Sequence, residues 1–410
     1  MSRATDIVIL AAGRGTRMRS AKPKVLHPIG GRPMIEHVLE AASELPDARS
    51  IVVTGHAAEQ LEEALAGREV AFARQTEQRG TADAVTAALS QLREESVVLV
   101  LYGDVPLISA ATLTRLLATV NADQLGLLTV DLPDPTGYGR IIRNSDSAVI
   151  AIVEQKDASP TELAVSEINT GVLAICSEQL ATLLPQVGCD NAQREYYLTD
   201  LIGLAVAAGI TIAVTQPEEP SEVEGVNDRQ QLARLERVYQ RRQAAALMAA
   251  GATLADPARY DQRGAVTVGE DVFIDANVLF EGDNRIGNNV TIGANCHLID
   301  AVIGDNVTVK SHTVIEQSEL GDGAVVGPFA RLRPGTILAS DTKIGNFVET
   351  KKAILGRGSK INHLSYVGDA FVGANANIGA GTITCNYDGV MKHHTHIGAG
   401  AFIGSNTMLV

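Results

Sequence analysis

Cysteine is scarce in this sequence, positive charge is outnumbered, and no hydrophobic run is long. Cys176, Cys189, Cys296 and Cys385 are scattered over 410 residues and never form a CxxC pair. That excludes a disulfide framework or a zinc–thiolate site and fits buried thiols in a reducing cytoplasm. Lys and Arg number 34 against 48 Asp and Glu, for a formal net charge of −14. A chain so acidic lacks the basic face that nucleic acid requires, so any anionic ligand must meet a local pocket rather than a global field. The longest apolar stretch, Leu201–Val214, is broken by Gly203 and Gly209 and falls short of a membrane span. The apolar run near the N-terminus, Ile7–Ala12, is too short for the core of a signal peptide. These absences imply a soluble cytoplasmic protein with no nucleic-acid or membrane partner. What is present is ordinary globular composition, 45% apolar and 20% charged, at a length that allows two or three domains.

Two patterns follow one another along the chain. Residues 1 to about 227 alternate short β-branched runs, Ile7–Leu10, Ile51–Gly55 and Val97–Asp104, with stretches of helical spacing at Met34–Glu44, Ala57–Ala66, Thr81–Leu92 and Ser109–Thr119. Thr199–Asp200 and Gly209 mark a further helix start and stop. Alternation of this kind predicts an α/β layered domain on a mainly parallel sheet, with ligands at the carboxyl ends of the strands. Residues 228–251 then read as one long exposed linker helix, with Leu232, Leu235 and Tyr239 on one face and Gly251 as its stop. From 252 to 410 an aliphatic residue followed by Gly recurs thirteen times, between Val268 and Ile403, at spacings within one residue of a multiple of six. Each hexapeptide supplies one inward aliphatic and one turn, and three make a coil that stacks on the next. The pattern predicts a parallel β-helix of about eight coils between 265 and 410.

The stretch LAAGRGTRMRSAKPK, Leu10–Lys24, gathers Arg14, Arg17, Arg19, Lys22 and Lys24 around a GxGT turn. A short basic run is ordinarily a solvated turn. Here it follows a buried strand, bare glycine amides can approach a phosphate, and cations can neutralise it. It is neither a Walker A loop nor a dinucleotide fingerprint, because Met18 stands where a third glycine is needed. Asp104 ends the apolar run VVLVLYGD. Such an Asp is commonly a turn or helix cap, but beside a phosphate-binding turn its oxygen suits a divalent cation. Arg17 and Lys24 are expected to touch the anion, and Arg19 and Lys22 to be solvated.

A hexapeptide coil needs aliphatics, glycines and small turn residues, yet this one also carries Arg333, Lys351, His363, Tyr366 and Lys392. Acyl transfer to an amine requires a base for the departing proton, which a His supplies at neutral pH. His393, His394 and His396 in KHHTHIG do not read as a metal site, since adjacent strand residues face opposite ways. Cys385 reads as a small buried residue.

The two patterns in this order, with YGDVPL, DPTGYGRI, VEQKDA, EINTGV, VEGVN, RLRPG, VETKKA, NHLSYVGDA and NIGAGTITCNYDG, resemble one family over essentially the whole chain. It is the family of bacterial bifunctional N-acetylglucosamine-1-phosphate uridyltransferases/glucosamine-1-phosphate acetyltransferases, which make UDP-N-acetylglucosamine for peptidoglycan and lipopolysaccharide. The resemblance implies a left-handed β-helix, a homotrimer, Mg2+ on Asp104 and Asn227, and UTP and acetyl-CoA as co-substrates. It places Leu10, Ala11, Ala12, Gly13, Gln75, Gly80, Thr81, Tyr102 and Gly103 on the nucleotide, with Arg17 and Lys24 on its triphosphate. Gly139, Glu154, Asn169 and Asn227 are placed on the sugar phosphate. On the coil it makes His363 the base, sets Arg333, Lys351, Tyr366, Asn377 and Lys392 on glucosamine 1-phosphate, and sets Ala380, Asn386, Tyr387 and Ser405 on acetyl-CoA. The hexapeptide pattern is still running at Val410, whereas family members continue into further coils and a tail that complete the acetyl-CoA site. Either the sequence is shortened at its C-terminus or the coil of this protein ends early. The alternative is a uridylyltransferase whose β-helix serves only as a trimerisation scaffold.

Overall fold

All six residues of the strand Thr5–Leu10 are buried, as a strand covered on both faces must be. In the computed structural model, which describes residues 3–410, this strand pairs in parallel with Ala48–Thr54 on one side and Val97–Tyr102 on the other. The sheet continues to Val70–Arg74 beyond the first neighbour. Beyond the second it continues through Glu167–Cys176 and Gln124–Asp131 to Thr211–Thr215. Glu167–Cys176 runs antiparallel to both of its neighbours, and the other pairings along this path are parallel. The expected α/β class with a mainly parallel sheet is therefore observed. Two apolar cores, one centred on Ile7, Ile9 and Leu99 and the other on Val8, Val98 and Val100, fill the opposite faces. The chain reverses its direction of travel across the sheet at Thr5–Leu10, so the segments after Leu10 and Tyr102 leave side by side. Such a point opens a crevice for a ligand.

The chain divides into two compact units, Met1–Leu235 and Glu236–Val410. The second is a parallel β-helix. Leu254, Ile274, Ile292, Val309, Val326, Ile344, Ile361 and Ile378 pair one above the next, each at most 9% exposed. This column makes the aliphatic–glycine period visible: every third hexapeptide returns to the same face. The column continues from Ile378 to Ile403, a longer step because residues 385–394 leave the coil as a loop. The coil begins with the strand Ala252–Leu254. One expectation needs correction. The helix Arg229–Ala249 is not simply exposed: Ala244 and Leu247 are buried in the coil's core. Gln240 donates to Gln262 O at 2.8 Å and accepts from Gln262 N at 2.7 Å. The side-chain amide thus occupies the backbone groups of an edge strand that would otherwise be open to pairing. Among the described residues no helix is long and apolar enough to cross a membrane.

Ile344 is fully buried between two aliphatic rungs. Ile344→Ala is expected to lower stability by about 2–5 kcal/mol, read as a shift in urea denaturation of the full chain followed by circular dichroism. A loss below about 0.5 kcal/mol, the scale of surface changes, would mean that the column is not packed.

Candidate functional sites

The first site grows from the sheet's switch point. Ala11 N bonds Val53 O at 3.0 Å, which ties the exit of Thr5–Leu10 to Ala48–Thr54, and Gly103 N bonds Leu10 O at 3.0 Å, which holds the two strand exits together. Between them lies a cleft of about 460 Å3 lined by Leu10, Ala11, Ala12, Gly13, Lys24, Gln75, Gly80, Thr81, Tyr102, Asp104 and Asn227, all singled out from the sequence. Gly15 adopts φ +57°, and a Cβ there would stand 2.7 Å from Lys24 Cβ, so a glycine lets the signature turn close onto Lys24. Lys24 is mostly buried, and its ammonium pairs with Asp104 and lies 3.3 Å from Asn227 Oδ1. Arg17, itself exposed and outside the lining, donates to Asn227 Oδ1 at 3.1 Å. Val226 N bonds Asp104 O at 2.9 Å, which fastens the distant Asn227 beside Asp104. Arg19 and Lys22 are exposed.

Whether these groups suit a divalent cation can be read from what Lys24 does. Its ammonium sits where one carboxylate and one amide oxygen converge, so the oxygens are already arranged around positive charge. One or two protein oxygens, completed by phosphate and water, are what Mg2+ ordinarily accepts. The residues fit.

Gly139, Glu154 and Asn169 do not line this cleft. They form a second group on its flank, and Gly103, which lines neither, packs against Val25, Ala11 and Ile35. Asn169 N bonds Gly139 O at 2.8 Å, and Thr199 donates to Glu154 Oε1 at 3.1 Å. Burial pushes the Glu154 carboxyl up from its ordinary value. Tyr102 joins the two groups, because its side chain lines both the cleft and a small cavity shared with Asn169 and Thr199. Burial, then the charges of Asp104 and Glu154, pushes its phenol up. Gly171, at φ +85°, leaves room for the Tyr102 ring that a Cβ would fill. Sequence reasoning missed Thr199, Tyr138, Thr170 and Glu195. Tyr138 stood within DPTGYGRI, a motif already noticed. Thr199 was read only as a helix start, yet its hydroxyl serves Glu154 and makes no cap bond.

The second group lies on the coil. Lys392 pushes the Lys351 ammonium down from its ordinary value, and Lys351 and Asp369 raise Lys392. Arg333 pairs with Glu349 at 2.8 Å, and Glu349 neighbours Tyr366 in register. The loop after Cys385 folds back through Asn386, whose Nδ2 donates to Gly368 O at 2.8 Å and Asp369 O at 3.2 Å. His393 and Asp388 brace the same loop at 2.9 Å, and Tyr387 bridges to Lys392 across it. His363, Asn377, Ala380 and Ser405 belong to the adjoining column. Gly381 N donates to His363 O at 3.3 Å, Asn377 pairs with Lys360 and Phe402, and Asn406 N bonds Ala380 O beside Ser405. The His363 ring is exposed, and Ser365 Oγ bonds its carbonyl at 2.7 Å. His394 and His396 lie 6.4 Å apart between ring centroids. Cys385 departs from expectation: it is half-buried, with its sulfur 3.8 Å from that of Met408.

Residues 7–135 match a MobA-like NTP transferase domain, and residues 262–348 match a GMPPB C-terminal domain. Over nearly its whole length the chain is similar to curated proteins named bifunctional protein GlmU. The one from Marinobacter nauticus is 55% identical over 404 residues, covering 98% of this chain and 89% of that one. The one from Cellvibrio japonicus is 56% identical, covering 99% and 89%. The one from Saccharophagus degradans is 58% identical, covering 99% and 90%. With two differently built sites on the two halves expected of such a protein, and identity of this order across both, the chain belongs to the bifunctional GlmU family.

Proposed function

We propose that this chain catalyses acetyl transfer from acetyl-CoA to glucosamine 1-phosphate and uridylyl transfer from UTP to N-acetylglucosamine 1-phosphate. Nucleotidyltransferase residues 1–227 and β-helical acetyltransferase residues 252–410 are joined by the helix of 228–251. The observation that carries the first reaction is the Lys24 ammonium held between Asp104 and Asn227 at the mouth of the cleft. In that reaction a phosphate oxygen of the sugar phosphate bonds to the α-phosphorus of UTP as its bond to the pyrophosphate oxygen breaks. Little covalent work is asked of the protein, so positioning and charge neutralisation carry the step. Lys24 and Arg17 neutralise the triphosphate, while Gln75, Gly80 and Thr81 hold the base. Gly139, Glu154 and Asn169 orient the sugar, and Tyr102 separates the two substrates. Asp104 and Asn227 would hold Mg2+, which when bound neutralises charge developing on the phosphate oxygens.

In the second reaction the sugar amine attacks the thioester carbonyl, His363 takes the amine's proton, and the carbon–sulfur bond breaks to release coenzyme A. Arg333, Lys351 and Lys392 bind the sugar's phosphate, with Tyr366 and Asn377 on its ring. Ala380, Asn386, Tyr387 and Ser405 face acetyl-CoA. Arg333, Lys351, His363 and Lys392 support this assignment over a bare scaffold, because a hexapeptide coil has no structural need of them. A cytoplasmic homotrimer is the assembly this reading entails.

Asp104→Asn is expected to reduce pyrophosphate release from UTP and N-acetylglucosamine 1-phosphate by about 100-fold or more with an unchanged circular dichroism spectrum. Wild-type turnover would refute the assignment of Asp104. His363→Ala should lower thiol release from acetyl-CoA by ~10²–10⁴-fold and spare uridylyl transfer; joint loss of both activities would contradict two independent sites. Glu154 has a raised folded-state pKa, so the folded protein retains its proton where the unfolded chain has lost it. Its contribution to stability therefore falls as pH rises above the ordinary carboxylate value. Glu154→Gln is expected to raise the melting temperature at pH 7, to lose that advantage below about pH 4 where both states are protonated, and to weaken sugar-phosphate binding. A lower melting temperature at pH 7 would show that the buried charge is compensated.

A further inference from the structure

Arg140 is a buried guanidinium without an anion. It is 2% exposed, and among the described residues no carboxylate pairs with it. Its Nη1 donates to Tyr138 O and its Nη2 to Gln155 Oε1 at 2.8 Å, while its buried Nε finds no acceptor. Burying such a charge among neutral acceptors is costly, and an apolar chain of similar volume would fill the same space at less cost. The location of its bonds accounts for the charge. Gln155 Oε1 also accepts from Gly137 N at 3.1 Å, so one side-chain oxygen ties the guanidinium to the start of the turn whose end Nη1 holds. That turn presents Tyr138 to the nucleotide cleft and Gly139 to Glu154, and Gly139 O accepts from Asn169 N. Gln155 in turn follows Glu154 directly in the chain. The Arg140 network therefore touches each of the three residues read as the sugar pocket through a neighbour or a backbone bond. It touches none of those assigned to uracil or the triphosphate.

We propose that Arg140 is a positioning residue for the sugar phosphate in uridylyl transfer: through Tyr138 O and Gln155 it sets where residues 137–139 stand against Glu154 and Asn169. This inference rests on the reading of Gly139, Glu154 and Asn169 as the sugar site.

The test is steady-state kinetics of Arg140→Met, Arg140→Lys and Gln155→Ala in the full chain, with N-acetylglucosamine 1-phosphate and UTP varied separately. Melting temperatures and calorimetric UTP binding are measured alongside. For Arg140→Met the KM for the sugar phosphate should rise about tenfold or more, and kcat should fall, since small misplacements of reacting groups are expensive. The KM and Kd for UTP should stay within about twofold, because that substrate is held by other residues. Arg140→Lys, which keeps the charge and one donor, should recover much of the loss. Gln155→Ala removes the shared acceptor without touching the buried charge and should shift the sugar-phosphate KM in the same direction. If Arg140→Met fails to fold, Gln155→Ala decides. Equal shifts in both KM values, or an unmoved sugar-phosphate KM in Gln155→Ala, would overturn the proposal. Absence of uridylyl transfer to N-acetylglucosamine 1-phosphate by the wild-type chain would instead overturn the reading of the site itself.

Discussion

Lys24 pairs with Asp104, 80 residues away, and lies against Asn227, 203 residues away. Three requirements must be met for that convergence. The strand before Asp104 must lie next to the strand before the signature turn, the turn must close tightly at Gly15, and the end of the domain must return to bond Asp104 through Val226. A mostly buried ammonium would be costly without its partners, so the contact favours the arrangement in which all three are satisfied together. The same arrangement leaves an open cleft beside a concentrated positive charge, in a chain whose overall charge is strongly negative. A local anion site is thereby maintained against an opposing field.

The β-helix works by a different physical device. Its core is built of stacked aliphatic columns, one from each face of the coil, and its backbone bonds run from each coil to the next. Any functional group must therefore be carried on the outside or on an excursion from the coil. The residues gathered around Lys351 use both: Lys351 and Tyr366 stand on coil strands, Arg333 directly follows one, and Lys392 comes from the loop that lengthens the step between Ile378 and Ile403. Asn386 pins that loop to Gly368 and Asp369, so the excursion is anchored rather than free. At the other end, Gln240 closes the first edge with a side-chain amide in place of another coil.

Buried polar groups distinguish the flank of the nucleotide cleft from the rest of the sheet domain. Asp6 and Glu222 are also buried, but each is surrounded by donors: Asp6 by Arg49, Arg93 and Ser96, Glu222 by Ser109, Thr112 and backbone amides. Glu154 has one hydroxyl, and Arg140 two neutral acceptors. Incomplete satisfaction at these two positions, next to a cavity, is the pattern expected where a ligand supplies part of the environment.

Periodicity was legible in the sequence because it reports burial directly. The β-branched runs became sheet strands, and the aliphatic–glycine repeat became the rungs of the coil. The signature turn and Asp104 were also legible, since each follows an apolar run and so must emerge at a strand's carboxyl end. Long-range partners were not. Nothing near Thr199 shows that its hydroxyl turns to Glu154, nothing in VEQKDA shows that Gln155 holds the turn before Arg140, and the linker helix showed an apolar face without showing what it would cover. Sequence order by itself determined the two architectures and the residue types available at each strand end. Tertiary structure decided which of those residues meet, because a hydrogen bond or ion pair depends on side chains brought within a few ångströms by strand order and register, and local sequence does not encode that order.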